Sequence, residues 1–158
     1  MDVAVIIGDI LRHRGLTLGT VESATGGLIA QMITGVPGSS DYFEGSIVSY
    51  SNEVKDRIVG VTSGTLEKYG AVSPQVAEEM ALGGKKLLEV DICLSDTGIA
   101  GPGGAVLGKP VGLFYLGMAC LDGVSSRRHE FHGSREENRR KATVTALDWL
   151  HEYLLSLK

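Results

Sequence analysis

A serine and a lysine, Ser23 and Lys55, are the residues whose types and setting could support covalent catalysis. Each lies where a predicted strand gives way to a predicted helix. A serine hydroxyl is a poor nucleophile at neutral pH and needs a base within hydrogen-bond reach, and a lysine amine is one known partner. The pKa of that lysine would have to fall from ~10.4 through burial or a neighbouring positive charge. Tyr50, at the end of the second strand, could relay the proton or orient the pair.

Each of these residues also has an ordinary structural interpretation. A serine ahead of a helix is a common N-cap, so Ser23 could serve only that purpose. A lysine in the first turns of a helix is usually a solvated charge, and Tyr50 could simply belong to the core. Glu22 could orient Lys55 or a loop amide. Histidines offer no better base, because all four are expected far from these segments: His13, His129, His132 and His151.

Two glycine-rich segments could bind an anion through their backbone N–H groups. In the first, Thr25, Gly26 and Gly27 follow the serine, and an oxyanion or a phosphate could approach closely at the predicted helix start. The second, residues 97–104, has four glycines in eight residues and the composition of an anion-binding nest, although a tight structural turn would use the same residues. Its candidate binding residues are Thr97, Gly98, Gly101 and Gly103.

A third glycine pattern is misleading. Gly103, Gly108 and Lys109 satisfy the spacing of a phosphate-binding P-loop. That loop requires a Ser or Thr next and then a helix, whereas Pro110 and a strand-like run follow here. We therefore reject the P-loop interpretation.

Arginines near the C-terminus offer another way to hold a phosphate. Arg135, Arg139 and Arg140 open the last predicted helix. A solvated charged face is the default for such residues, yet arginines beside a glycine-rich pocket could bind a phosphate through paired hydrogen bonds. No spacing of His, Cys, Asp and Glu matches a metal site, so no metal cofactor is expected.

Periodicity and capping signals predict the elements that must position these residues. Strands are predicted at residues 17–21, 43–50, 90–96 and 111–121, and from an Asp122-Gly123 turn through residue 131. Helices are predicted after the N-caps Asp2, Ser73 and Ser134, at residues 26–34, and from residue 52 to residue 60. Ser134 and Glu137 have the spacing of a capping box.

The strand ends imply a shared pocket. Three predicted strands lead into Ser23, Tyr50 and Thr97, and right-handed crossovers between parallel neighbours would place all three ends at one edge of the sheet. Asp122-Gly123 predicts an antiparallel hairpin late in the chain. The sequence therefore predicts an α/β fold with three α/β/α layers around a mixed, mostly parallel sheet.

Composition narrows the classes of function. With 158 residues, 43% of them hydrophobic, the chain is expected to form a single domain over residues 1–158. Its net charge of −4 provides no broad basic field, so nucleic acid is not an expected partner. No run approaches the ~18 apolar residues of a membrane span. Cys93 and Cys120 are expected to be buried free thiols of a cytoplasmic protein, and the small size with an apolar last helix favours a homo-oligomer.

Taken together, the motifs resemble those of the C-terminal domain family of the competence protein CinA. The resemblance extends from Glu22 to the last predicted helix. Its motifs in chain order are Glu22-Ser23-x-Thr25-Gly26-Gly27, Val36-Pro37-Gly38-Ser39-Ser40, Tyr50-Ser51-Asn52-x-x-Lys55, Gly70-Ala71-Val72-Ser73, Thr97-Gly98-Ile99-Ala100-Gly101-Pro102-Gly103-Gly104, Lys109-Pro110-Val111-Gly112 and Phe131-x-Gly133-x-Arg135-x-x-x-Arg139.

Stand-alone members of that family are nicotinamide-nucleotide amidohydrolases. The resemblance implies hydrolysis of the carboxamide of nicotinamide mononucleotide to nicotinate mononucleotide and ammonia, without a cofactor. It implies Ser23 as the nucleophile and Lys55 and Tyr50 as its activating partners. The residues expected around the nucleotide are Thr25, Gly26, Gly27, Asn52, Thr97, Gly98, Gly101, Gly103, Arg135 and Arg139. The alternative is a non-catalytic nucleotide-binding or regulatory module that keeps the pocket.

Two positions depart from the family pattern. Asp96 stands where the family usually has a small or apolar residue, which would add negative charge near a phosphate site. Asn138 replaces the usual aliphatic residue before Arg139. Neither is expected to touch Ser23, Tyr50 or Lys55, so we expect both to affect ligand affinity more than chemistry. Larger members carry a separate N-terminal domain that resembles molybdopterin-binding proteins, whose activities are not expected of this domain.

Overall fold

The computed structural model describes residues 2–158 and contains a five-stranded sheet. Its strands are β1 (Leu18–Glu22), β2 (Phe43–Val48), β3 (Ile92–Gly98), β4 (Leu113–Cys120) and β5 (Gly123–Glu130). They lie in the order β2-β1-β3-β4-β5. β1 pairs in parallel with β2 and β3, whereas β4 is antiparallel to β3 and to β5. The predicted parallel neighbours and the predicted mixed sheet are both confirmed.

Helices cover both faces of this sheet. They are α1 (Val3–Arg14), α2 (Leu28–Thr34), α3 (Asn52–Val54), α4 (Ser63–Tyr69), α5 (Pro74–Leu88) and α6 (Arg135–Ser156), with a 3-10 turn at Ser39–Asp41. α1, α2 and α6 pack on one face around a core that includes Leu94 and Phe114. α5 packs on the other face against Val21 and Cys93. The predicted α/β/α layering is therefore confirmed. Within residues 2–158, no helix combines the length and apolar character needed to cross a bilayer.

The helix that carries the candidate arginines begins at a capping box, as predicted. Ser134 Oγ accepts the Glu137 N–H, and the Glu137 carboxylate accepts the Ser134 N–H. These bonds satisfy donors that the first helical turn leaves without partners. Because Arg135 and Arg139 lie in the first turns of α6, the cap fixes the point from which both side chains reach toward the sheet edge.

The late hairpin turns one residue earlier than predicted. Cys120 pairs with Gly123, so the two turn residues are Leu121 and Asp122. Gly123 has a φ of 121°, a conformation that residues with a side chain rarely adopt. Cys120 is only partly buried, which corrects the prediction of two buried thiols, whereas Cys93 is fully buried.

A π-helical turn, Lys55–Val59, continues directly from α3. The sequence does not predict it, since its residues have ordinary helical spacing. Gly60, with a φ of 89°, caps its C-terminal end. Such turns are rare in proteins, and those that do occur are often found at functional sites. Gly83 of α5 lies so close to Val59 that a Cβ there would overlap the Val59 backbone. α5 therefore supports the turn from which Lys55 projects.

Candidate active site

A cavity of about 260 Å³ lies at the carboxyl ends of β1, β2 and β3. This is the edge at which open α/β folds bind ligands. Its walls come from the loop after β1, the segment after β2, the glycine-rich loop after β3, and the start of α6. The predicted site residues that line it are Ser23, Tyr50, Asn52, Lys55, Thr97, Gly98, Gly101, Gly103 and Arg135. None of the four histidines lines it.

The larger cavity found in residues 2–158 has no serine, cysteine, histidine or lysine in its lining. This cavity of about 560 Å³ lies between α1, α2 and α6 and is lined mainly by apolar side chains. Arg140 lines that cavity and pairs with Glu136, so it does not reach the site of Ser23. Within residues 2–158, no three His, Cys, Asp or Glu side chains are grouped so that they could hold a metal ion.

Ser23 and Lys55 are in direct contact. Lys55 Nζ lies 2.9 Å from Ser23 Oγ, 2.8 Å from the Ser49 carbonyl oxygen and 3.0 Å from the Tyr50 carbonyl oxygen. An ammonium group can donate all three hydrogen bonds. A neutral amine has two hydrogens for the carbonyls and a lone pair for the serine hydroxyl. The same geometry therefore accommodates both protonation states, and in the neutral state Lys55 can accept the hydroxyl proton.

Burial brings the pKa of the Lys55 amine closer to neutral pH. The side chain is 1% exposed. Burial lowers the pKa of Lys55 to about 8, and the charge of Asp96 opposes this shift. Burial disfavours the charged form of an amine, which is how catalytic lysines gain basicity at neutral pH. The interpretation of Lys55 as a solvated surface charge is therefore wrong.

Tyr50 contacts Lys55 through its backbone carbonyl oxygen, not through its hydroxyl. β2 ends at Val48, which leaves Tyr50 on the rim of the cavity with 64% of its surface exposed. Its hydroxyl lies 3.3 Å from Arg135 Nη2. Among the described residues, that hydroxyl bonds neither Ser23 nor Lys55. The predicted relay through the tyrosine hydroxyl is not supported, and the alternative of a core tyrosine is wrong.

Glu22 holds the loop after β1 in place. Its fully buried carboxylate accepts the N–H groups of Gly27, Ile29 and Ala30 at 2.9 to 3.0 Å, and it also accepts the Thr25 hydroxyl. A carboxylate at a helix N-terminus is favoured because the unpaired N–H groups there carry partial positive charge. Of the two roles predicted for Glu22, the structure supports the orientation of loop amides. Glu22 makes no hydrogen bond to Lys55.

The N–H groups of Thr25, Gly26 and Gly27 already have partners within the chain. They donate to Asp96, to the Ser23 carbonyl oxygen and to Glu22, respectively. None of these three residues lines the cavity. The prediction that they receive an oxyanion or a phosphate is therefore wrong, because the turn satisfies its own donors.

The amide beside the nucleophile that remains available is that of Ala24. Ala24 lines the cavity, and its N–H bonds no acceptor among residues 2–158. The same holds for Ala100, Gly101 and Gly103 in the loop after β3. The N–H of the residue after a nucleophile commonly stabilises the oxyanion in acyl transfer. These donors could stabilise negative charge on a carbonyl oxygen attacked by Ser23.

Asp96 lies beneath the nucleophile loop and outside the cavity. Its fully buried carboxyl group accepts the Ser23 N–H at 3.0 Å and the Thr25 N–H at 3.1 Å, and it does not line the cavity. Burial raises the pKa of Asp96 to about 6, and hydrogen bonds from Thr25 and Ser23 oppose that shift. The prediction that Asp96 lies apart from Ser23 and adds charge near a phosphate site is wrong. Alternation along β3 could have indicated this, because Asp96 shares the buried face of Ile92 and Leu94.

The two candidate arginines have different surroundings. Arg139 donates to the carbonyl oxygens of Ala24 and Thr25 at 2.9 and 3.1 Å and does not line the cavity. Arg135 lines the cavity and donates to the Gly101 carbonyl oxygen at 2.9 Å. Arg139 therefore holds the nucleophile loop, whereas Arg135 is the arginine that a ligand could reach.

Asn138 ties α6 to the glycine-rich loop. Its Nδ2 donates to the carbonyl oxygens of Ala100 and Gly133 at 3.0 and 3.1 Å, and its Oδ1 accepts the Gly133 N–H at 2.9 Å. An aliphatic side chain could make none of these bonds. The departure at this position therefore adds a polar connection behind the cavity.

Comparison with known proteins gives a consistent family assignment. A family model described as the CinA C-terminal domain matches residues 1–154. The chain is 51% identical over 149 residues to a putative competence-damage inducible protein of Halothermothrix orenii, covering 94% of this chain and 36% of that protein. It is 46% identical over 156 residues to a CinA-like protein of Geotalea uraniireducens, covering 99% of this chain and 37% of that protein. The chain thus spans little more than a third of these relatives.

Solved structures with the same fold match over nearly their whole length. Competence damage-inducible protein A of Klebsiella pneumoniae superimposes with a TM-score of 0.95 at 29% identity, covering 99% of this chain and 97% of that one. Competence/damage inducible protein CihA of Agrobacterium tumefaciens superimposes with a TM-score of 0.90 at 38% identity, covering 98% and 94%.

Proposed function

Because the chain belongs to the CinA C-terminal domain family, we propose that it hydrolyses the carboxamide of nicotinamide mononucleotide to nicotinate mononucleotide and ammonia in pyridine nucleotide salvage. Ser23 is the nucleophile and Lys55 is its base. One observation carries this proposal: a buried amine lies 2.9 Å from a serine hydroxyl at the wall of a cavity.

The reaction proceeds through an acyl-enzyme. Ser23 Oγ attacks the amide carbon while its proton moves to Lys55 Nζ, and the Ala24 N–H stabilises the oxyanion. Lys55 then protonates the amide nitrogen, the C–N bond breaks, and ammonia leaves an ester on Ser23. Water adds to that ester and gives a proton to Lys55. The C–O bond to Ser23 breaks, Oγ regains a proton from Lys55, and nicotinate mononucleotide leaves.

The surroundings of the cavity suit a flat, positively charged ring bearing a sugar phosphate. The exposed ring of Tyr50 can stack on a pyridinium ring, an interaction worth about 0.5–1 kcal/mol at exposed sites. Arg135 can bind the phosphate through paired hydrogen bonds. The cavity of about 260 Å³ is smaller than the ~300–1,000 Å³ of typical ligand pockets. We therefore infer that the carboxamide ring enters it and that the ribose phosphate lies across the rim.

Ammonia release from nicotinamide mononucleotide, measured with the purified protein in the presence of EDTA, tests this function. We expect release by the wild-type chain and none by Ser23→Ala or Lys55→Met. Matched controls are Ser125→Ala and Lys86→Met, which replace exposed residues of the same types away from the cavity. Both controls should retain wild-type kcat and KM.

Two results would contradict the proposal in different ways. Wild-type turnover by both Ser23→Ala and Lys55→Met would remove the catalytic roles while leaving the reaction. A folded wild-type protein that releases no ammonia but binds the mononucleotide in calorimetry would be a nucleotide-binding or regulatory module. If it neither reacts with nor binds the mononucleotide, the substrate itself is wrong.

A further inference from the structure

Two carboxyl groups converge on a single hydroxyl beneath the nucleophile. Thr25 Oγ1 lies 2.7 Å from Glu22 Oε1 and also makes a short contact with Asp96 Oδ1. All three side chains are fully buried. A hydroxyl carries one hydrogen, so it can donate to only one of these oxygens. With both carboxyl groups ionised, the other contact would bring two lone-pair-bearing oxygens together without a hydrogen between them.

The second hydrogen fits Asp96 better than Glu22. Glu22 already accepts three backbone N–H groups at the start of α2, and such bonds favour the charged form of a carboxyl group. Asp96 accepts only two N–H groups. A protonated Asp96 can donate to Thr25 Oγ1 while Thr25 donates to Glu22. Each of the two short oxygen–oxygen contacts then has a hydrogen between its atoms. Burial raises the pKa of Asp96 to about 6, in the direction this arrangement requires. The pKa of Lys55, about 8, is higher, so with a single proton present the form protonated at Asp96 is the less populated of the two.

Charged groups reach the surroundings of Asp96 from three elements. Glu22 comes from β1, Lys55 comes from the π-helical turn, and Arg139 of α6 bonds the carbonyl oxygens of the same loop. β4 places Leu116 opposite Asp96, α2 carries no charged residue, and α5 lies on the other face of the sheet. Lys55 is thus the cation near Asp96 that can itself titrate.

Ser23 links the two titrating groups. Asp96 accepts its N–H, and Lys55 contacts its hydroxyl. We propose, on the basis of the function above, that Asp96 and Lys55 share a single proton and that the reactive form places it on Asp96. In that form Lys55 is a neutral amine that can take the hydroxyl proton of Ser23, and the hydrogen bonds at Thr25 are complete. Asp96 is accordingly a positioning residue, which acts through the loop that it holds.

This sharing has a distinct pH signature. A second proton charges Lys55 and removes the base, so activity falls on the acid side. Loss of the shared proton leaves Asp96 ionised and the hydroxyl of Thr25 one hydrogen short, so activity also falls on the alkaline side. We expect a bell-shaped profile of kcat/KM for the wild-type chain. Asp96→Asn, which cannot ionise, should lose the alkaline limb and should retain an acid limb, set by Lys55 alone, at the same or a higher pH. A wild-type profile that only rises to a plateau would overturn the proposal.

A titration by nuclear magnetic resonance tests the shared proton without requiring turnover. The probes are the Asp96 Cγ and Lys55 Nζ resonances of isotope-labelled protein. In the wild-type chain each resonance should respond to both titration steps. Lys55→Met should keep Asp96 protonated to higher pH, and the exposed control Lys86→Met should leave its titration unchanged. An Asp96 resonance that titrates like an ordinary carboxylate and ignores Lys55→Met would refute the sharing. Absence of ammonia release would instead refute only the proposed function.

Discussion

Gly83→Ala should destabilise the protein and impair the candidate site, although alanine is normally the better helix former. Gly83 lies in α5, where exchange of a solvent-exposed glycine for alanine would gain up to about 1 kcal/mol. Here the added carbon would lie 3.1 Å from the carbonyl carbon of Val59, 3.0 Å from its Cγ1, and closer still to its carbonyl oxygen. A backbone group cannot rotate away, and overpacking of this kind typically costs about 1–3 kcal/mol. We expect a net loss of about 1–2 kcal/mol.

Urea and thermal unfolding measure this loss directly. For a domain of this size, about 1–2 kcal/mol lowers the Tm by roughly 2–8 °C. Gly64→Ala is the matched control, because Gly64 also lies in a helix, α4, and its Cβ would meet no atom within 4 Å. That control should unfold at the same or a higher temperature. Since Val59 ends the π-helical turn that Lys55 begins, Gly83→Ala should also lower kcat in the folded protein. A variant as stable as Gly64→Ala would refute the close approach of α5.

Two further predictions concern stability. Because burial lowers the folded-state pKa of Lys55 to about 8 from an ordinary 10.5, the unfolded chain binds more protons between these values. The free energy of unfolding should therefore rise with pH across that window, and Lys55→Met should flatten the rise in urea titrations; an unchanged slope would contradict the shift. Ser134→Ala removes the N-cap of α6 and should cost about 1 kcal/mol. Its Tm should fall relative to Ser125→Ala, and equal values would show that the cap contributes nothing.

Features that depend on neighbouring residues could be predicted from the sequence. The capping box needs only Ser134 and Glu137, which are three positions apart. The predicted strands placed Ser23 and Thr97 at the same edge of the sheet, and β1 and β3 are indeed parallel neighbours. The contact between Ser23 and Lys55 followed from that topology, since both loops leave the same edge of the sheet.

Features that depend on how distant segments meet could not be predicted in this way. The π-helical turn at Lys55 arises where the segment after α3 packs against α5, and its own residues carry no signal for it. Asp96 becomes part of the nucleophile loop only through strand register. The sequence predicted Arg139 as a phosphate ligand. In the folded chain, α6 places its side chain against the Ala24 and Thr25 carbonyl oxygens.

Ser23 and Lys55 belong to regions of unequal local stability. Ser23 follows β1, a strand that is buried along its whole length and paired on both sides. Lys55 instead depends on the carbonyl oxygens of Ser49 and Tyr50, which directly follow β2, an edge strand that is only partly buried. Partly exposed edge segments open at a lower free energy than a buried core. Fraying of β2 would release the amine from its carbonyl contacts while the hydroxyl stays in place, so activity can be lost in a chain whose central strands remain fully protected from hydrogen exchange.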